Sequence, residues 1–181
     1  AQLSTAHWIA FGEALTTPVG SFVLTTPTSE TQEDELSGIW FMDTSSEPAV
    51  QGLQLPEAPD GWNYEAWIVL GQDTLSTGKF LDPAAPDSAA LYSGALSPPG
   101  FPGEDFLSGA PSGLTFPTDL SGASVFITME PWAEWDTAPN APFFLTLLEG
   151  SVPADAIPGT PYTLDPPANP LPTGMAIIEG S

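Results

Sequence analysis

The chain is nearly devoid of positive charge. Its 181 residues include 23 Asp and Glu but a single Lys or Arg, Lys79, for a formal net charge of −22. Charged residues make up only 13% of the chain, so the anomaly is the missing cations rather than a surplus of acids. One cation cannot neutralise a row of phosphates, which excludes nucleic-acid binding as a main function. The same shortage excludes polybasic docking on anionic lipid and an arginine clamp for phosphoryl transfer. Cysteine is absent, which removes disulfides, thiolate metal sites and a cysteine nucleophile. Histidine occurs once, at His7, and a lone imidazole has no partners for a metal site or a Ser-His-Asp triad. No apolar run approaches the ~18–20 residues of a membrane span. The sequence starts at Ala1 without Met or a secretory apolar stretch, and the expectation is a mature chain after removal of a signal peptide.

What is present favours a folded β protein. Apolar residues are 41% of the chain, with six Trp, ten Phe and three Tyr, which argues against wholesale disorder. A single domain of this size buries about 70% of its unfolded surface. The 22 Pro and 17 Gly are spread throughout and leave little room for long helices. Between them lie short apolar runs that read as strands: residues 3–11, 19–26, 36–43, 50–55, 64–70, 74–81, 124–130, 143–148, 162–164 and 175–178. The acidic run 30–35 separates two of these as a hairpin loop, and the runs on either side of Gly71 form another hairpin. The run 143–148 reads as buried on both faces. Residues 82–117 are dense in Pro and Gly and read as one long loop insert, anchored by residues 89–92 and 106–107. The expected fold is all-β, an antiparallel sandwich, with residues 1–181 as one domain.

Three motifs recur in order along the chain. They are Tyr64, Glu65 and Trp67 in one strand, then Ser76, Thr77, Gly78 and Phe80 in the next, then Thr128, Glu130 and Pro131 before an apolar strand ending at Gly150. In this order and spacing, residues 50–152 without the 82–117 insert resemble the extracytoplasmic domain of RskA-type anti-sigma-K factors. The resemblance implies an Ig-like β-sandwich located outside the membrane. In that family sigma-factor binding belongs to a separate cytoplasmic helical segment joined through a transmembrane helix. Neither is found in these 181 residues, so a sigma factor is not an expected partner.

Several residues invite chemical readings. Paired acids such as Glu104 with Asp105, or Glu130 with Glu134 and Asp136 beside Trp132 and Trp135, have the composition of a glycoside hydrolase, whose two carboxylates stand ~5–10 Å apart. No motif spacing marks such a pair, and a carboxylate hydrolase ranks last among the readings. Asp43, Glu47, Glu104 and Asp105 are weak candidates for calcium, a hard cation that favours oxygen ligands; no complete calcium loop accompanies them, and solvated surface charge is the alternative. No cofactor is expected. Lys79 lies in a predicted strand, where either a salt bridge or a side-chain amide to Asn63 or Asn140, assisted by Glu65 or Glu130, would occupy it.

The terminal segments, residues 1–11 and 172–181, carry Leu3, Trp8, Ile9, Phe11, Met175, Ile177 and Ile178 beyond Pro-rich stretches. Tethered apolar strands complete a sheet by main-chain pairing, either within the subunit or between neighbours, and pairing between neighbours propagates into a filament. The expected function is therefore a secreted, non-enzymatic structural or interaction protein whose principal partner is itself. The runner-up is an extracytoplasmic sensor or ligand-binding domain. The Pro, Ser and Thr content suits O-glycosylation, and no N-x-[ST] sequon is present. Subunits this negative repel one another over a Debye length of ~8–10 Å at moderate salt. Self-assembly is thus expected to weaken at low ionic strength, as read by light scattering across a salt series. Insensitivity to salt and chelator would mean that the acids face away from the contacts.

Overall fold

The computed structural model describes residues 18–31, 33–132 and 140–168. Among these residues the chain forms β1 (Val19–Leu24), β2 (Gly38–Trp40), β3 (Met42–Asp43), β4 (Val50–Gln51), β5 (Leu53–Gln54), β6 (Trp62–Leu70), β7 (Asp73–Phe80), β8 (Gly103–Asp105), β9 (Ser124–Pro131), β10 (Thr146–Ser151) and β11 (Tyr162–Leu164). The regular helical structure among them is a single 3-10 turn, Glu35–Ser37. One sheet runs β11-β1-β2-β8, with β5 also pairing β1; a second runs β10-β9-β6-β7; β3 and β4 form a small ribbon. Every pairing is antiparallel. The architecture is an all-β sandwich.

Period-2 alternation decides which side chains meet between the sheets. Phe22 and Leu24 of β1, Ile39 of β2 and Leu53 of β5 meet Tyr64, Ala66 and Ile68 of β6 and Val125, Ile127 and Met129 of β9, all buried in one cluster. Val23, Trp40 and Met42 point the other way and form a second buried cluster against Ala49 and Phe101. The β6–β7 hairpin turns on Gly71 and Gln72, and Gly71 adopts the positive φ of +65° that primed turns require. Further along, a bulge shifts the register between Ala66 and Trp67. Gly78 beside it has φ +130°, and a Cβ there would stand 2.6 Å from Cγ of Asp87.

The two sheets are joined along one side and bridged along the other. Glu149 of β10 and Asp165 just after β11 exchange two backbone bonds of 2.8 and 2.9 Å. On the opposite side, residues 87–89 lie between β7 and β8. Ser88 N–H donates to the Lys79 carbonyl (2.8 Å), and the Asp87 carboxylate accepts from Gly103 N–H (2.8 Å).

Some elements differ from the sequence reading. The run 36–43 is broken at Phe41 into β2 and β3, and 50–55 is split at Gly52. There Gly52 N–H bonds the Phe41 carbonyl and Ser21 N–H bonds the Gly52 carbonyl, so the backbone of one residue serves two neighbouring strands. The run 143–148 enters the sheet only at Thr146, and Phe144 is exposed rather than buried on both faces. Its first residues are diverted because Phe143 N–H is taken by the Glu130 side chain (2.8 Å) instead of a ladder carbonyl. A register shift between Thr146 and Leu148 then brings Leu147 and Leu148 both to buried positions. Within 82–117, residues 103–105 form β8, a fully buried strand of the first sheet. The predicted strands 3–11 and 175–178 lie outside the described residues.

Ile127 is fully buried at the centre of the core. Ile127→Ala is expected to lower stability by about 2–5 kcal/mol. The check is a urea titration: the midpoint should fall at unchanged slope, and an unshifted midpoint would contradict this packing.

Candidate functional site

Buried carboxylates are the most unusual feature of the fold, because the chain has almost no cations to pair with them. Asp105 and Glu104 are 0% exposed, Glu130 1% and Glu65 3%. They fall into two groups, one on each sheet.

The first group lies along β8. Successive strand residues point to opposite faces, so Glu104 and Asp105 make separate networks. Asp105 shares the outer face with Trp40 and accepts from the indole Nε1–H (2.6 Å), from Thr28 N–H (2.8 Å) and from the Thr28 hydroxyl. Thr28 Oγ1 in turn accepts from Gly94 N–H (2.8 Å). Glu104 turns toward the loop and accepts from Leu91 N–H (2.7 Å), Tyr92 N–H (3.3 Å) and the Ser93 hydroxyl. Asp87 accepts from Gly103 N–H and Ala89 N–H (3.0 Å). Together these three acids fasten residues 87–94 to the sandwich. Just beyond the end of β1, Glu35 accepts from the Thr25 hydroxyl (2.6 Å) and Thr26 N–H (3.2 Å).

The second group lies on the outer face of β6, β7 and β9. Cross-strand register places Glu65 opposite both Lys79 and Thr128, and Asn63 opposite Glu130. Glu65 accepts from the Ser76 hydroxyl (2.5 Å), and its Oε2 lies 3.4 Å from Lys79 Nζ. Glu130 accepts from the Thr128 hydroxyl (2.5 Å) as well as from Phe143 N–H. Trp67 Nε1–H donates to Thr128 Oγ1 (2.8 Å), and its ring stacks on Phe126 at 6.4 Å. Oδ1 of Asn63 and Oε2 of Glu65 are both buried without a hydrogen-bond partner of good geometry. Asn63, Lys79, Asp87 and Trp132 line an open recess of about 560 Å3.

The motif residues therefore divide by face. Glu65, Trp67, Thr128 and Glu130 meet on the outer face. Tyr64 and Phe80 pack ring to ring at 5.6 Å on the inner one, and the Tyr64 hydroxyl donates to the Pro56 carbonyl. Gly78 leaves room for Asp87, and Pro131 closes β9 opposite Trp62. The calcium candidates do not converge in this way. Asp43 is bonded to Ser45 N–H (2.8 Å), Glu47 is exposed, and Glu104 and Asp105 are engaged as described. Among the described residues no three acidic or imidazole groups are arranged to hold a metal ion. Among them, too, no helix is long and apolar enough to cross a membrane. Asp87 and Thr28 were not legible as partners of β8, since both lie far from it in sequence. Glu134 and Asp136 lie outside the described residues, as do the assembly candidates Leu3, Trp8, Ile9, Phe11, Met175, Ile177 and Ile178.

Burial pushes the carboxyls of Glu65, Glu104 and Asp105 up from the ordinary carboxylate range, against the pull of their hydrogen bonds. It pushes Asp87 up to about 7, with Glu104 nearby adding to the effect. Asp43, at the end of β3, is instead held low by its bonds to Ser45. The chain matches no family model, no curated protein and no solved structure.

A carboxyl raised on folding binds its proton more tightly in the folded state. Its stabilising contribution is full below the unfolded value, near ~4, and is lost as pH rises through the folded one. The melting temperature is therefore expected to fall as pH rises from about 4 to about 7, the window set by Asp87. Asp87→Asn should flatten part of that fall, measured by circular dichroism melts over the pH series. A variant curve parallel to the wild type would show that Asp87 does not titrate there.

Proposed function

We propose that this chain is a secreted or cell-surface, non-enzymatic structural or interaction protein that self-associates through its terminal segments. The observation that carries this reading is where the chain enters and leaves the sandwich. β1 and β11 are adjacent and antiparallel, with Gly20 opposite Leu164. The segments before residue 18 and after residue 168 therefore start from the same end of one strand pair. Residues 1–11 and 172–181 carry apolar side chains in sequence, and a tethered apolar strand of this kind can complete the sheet of a neighbouring subunit. The use made of the buried acids supports a structural role. Asp105, Glu104 and Glu130 each accept two or more donors from their own chain, which ties loops to strands. The motif resemblance supports an extracytoplasmic location, and a chain with one Lys or Arg offers trypsin-type proteases a single cleavage site, which suits exposure outside the cell.

Sedimentation velocity and negative-stain electron microscopy of the full chain and of a chain lacking residues 1–11 and 172–181 test this. Large oligomers or filaments are expected for the first and a folded monomer for the second. Identical behaviour of the two would refute assembly through the termini.

A further inference from the structure

The outer face of β6 and β7 holds a grouping that a structural role for the acids does not use up. Asn63 and Lys79 are diagonal neighbours across the two strands, because Lys79 is in register with Glu65, two residues beyond Asn63 on the same face. Diagonal positions lie within reach of a long side chain. Both residues line the same recess. Lys79 is the chain's only Lys or Arg, and its side chain is only 21% exposed. Its ammonium stands 3.4 Å from the Glu65 carboxylate. The Asn63 carboxamide oxygen is buried with no donor, and Glu130 faces Asn63 from the other side on β9. Asn140, the other sequence candidate, is exposed.

We propose that Lys79 and Asn63 become joined through a side-chain amide bond, with Glu65 carrying the proton. A nucleophile, a carboxamide and a carboxyl group share one sheet face, with the Lys79 side chain largely and the Glu65 side chain almost wholly withdrawn from solvent. The reaction balances without an oxidant or any other reagent. The Lys79 ammonium passes one proton to the Glu65 carboxylate, and the neutral amine attacks Cγ of Asn63. The Cγ–Nδ2 bond breaks as Nδ2 receives a proton from the attacking nitrogen through the Glu65 carboxyl. Ammonia leaves, taking up the proton first held by Glu65 and departing as ammonium. No atom changes oxidation state. Burial favours the protonated form of Glu65, which suits a group that must hold a proton and return it. In a chain without cysteine the product is a covalent tie between adjacent strands that reducing conditions cannot break. Formation of this bond does not depend on pairing of the terminal segments.

The test is the intact mass of the denatured full chain together with its digestion by trypsin. Lys79 is the only site at which trypsin can cut, so linkage should abolish that cleavage as well as lower the mass by one ammonia. Lys79→Arg and Asn63→Ala should each restore the sequence mass, and Glu65→Gln should leave most of the chain unlinked. The sequence mass together with cleavage after Lys79 in the wild type would overturn the proposal. So would ammonia loss with Lys79 still cleavable, because that marks cyclisation at an asparagine instead. Full linkage in Glu65→Gln would remove Glu65 from the mechanism. The wild-type measurement is decisive even where a variant fails to fold.

Discussion

The structure depends on how carboxylates are buried in a chain that has one side chain with which to neutralise them. Taking an unpaired carboxylate out of water is costly, and the usual remedy is a Lys or Arg partner. Among the described residues Glu65 has that remedy, through Lys79. The other buried acids are satisfied by backbone N–H groups, hydroxyls and one indole. Hydrogen bonds to an ionised acceptor are about twice as strong as neutral ones, so each such acid becomes a firm point of attachment. Burial meanwhile keeps several of these carboxyls closer to their neutral form, which reduces the charge the interior must carry.

This arrangement explains why so much irregular chain can be held in place. Residues 82–102 contain no strand, yet Asp87 fixes them to β8 at one point and Glu104 at another. Asp105 ties β8 to the loop at Thr28 and to Trp40 on β2. Glu130 performs the same service for the chain entering β10, at the expense of regular pairing at Phe143. A backbone N–H that would otherwise be stranded outside a ladder is thereby partnered. The acids act where the sheet ends and the loops begin, so the sandwich and its loops form one hydrogen-bonded unit.

Much of this fold was legible in the sequence. The β6–β7 hairpin announced itself by alternation on either side of a Gly-containing turn, and β1, β9 and β11 by their β-branched and aromatic residues bounded by Pro and Gly. Pairing of β1 with β2 across the acidic run also followed from local pattern. β8 was hidden because Gly-Glu-Asp has no strand propensity of its own; it is a strand only because β2 offers an edge and distant donors neutralise its acids. The division of residues 36–43 and 50–55 likewise results from backbone contacts around Gly52 that no local pattern encodes.

By itself the sequence determined the class of the protein. Without cysteine it can form no disulfide, its spread of Pro and Gly leaves little room for long helices, and it set the strand periodicity that separates a buried face from an exposed one. Tertiary structure alone decided what the acids are for. Glu104 and Asp105 look like any solvated pair until residues more than ten and more than seventy positions away are folded onto them. Asn63, Glu65, Lys79 and Glu130 become one constellation only through the register of three strands. The physical reason is range: periodicity and propensity act between near neighbours, whereas partners for a buried charge are found by whichever distant backbone the sheet brings within a hydrogen bond's length.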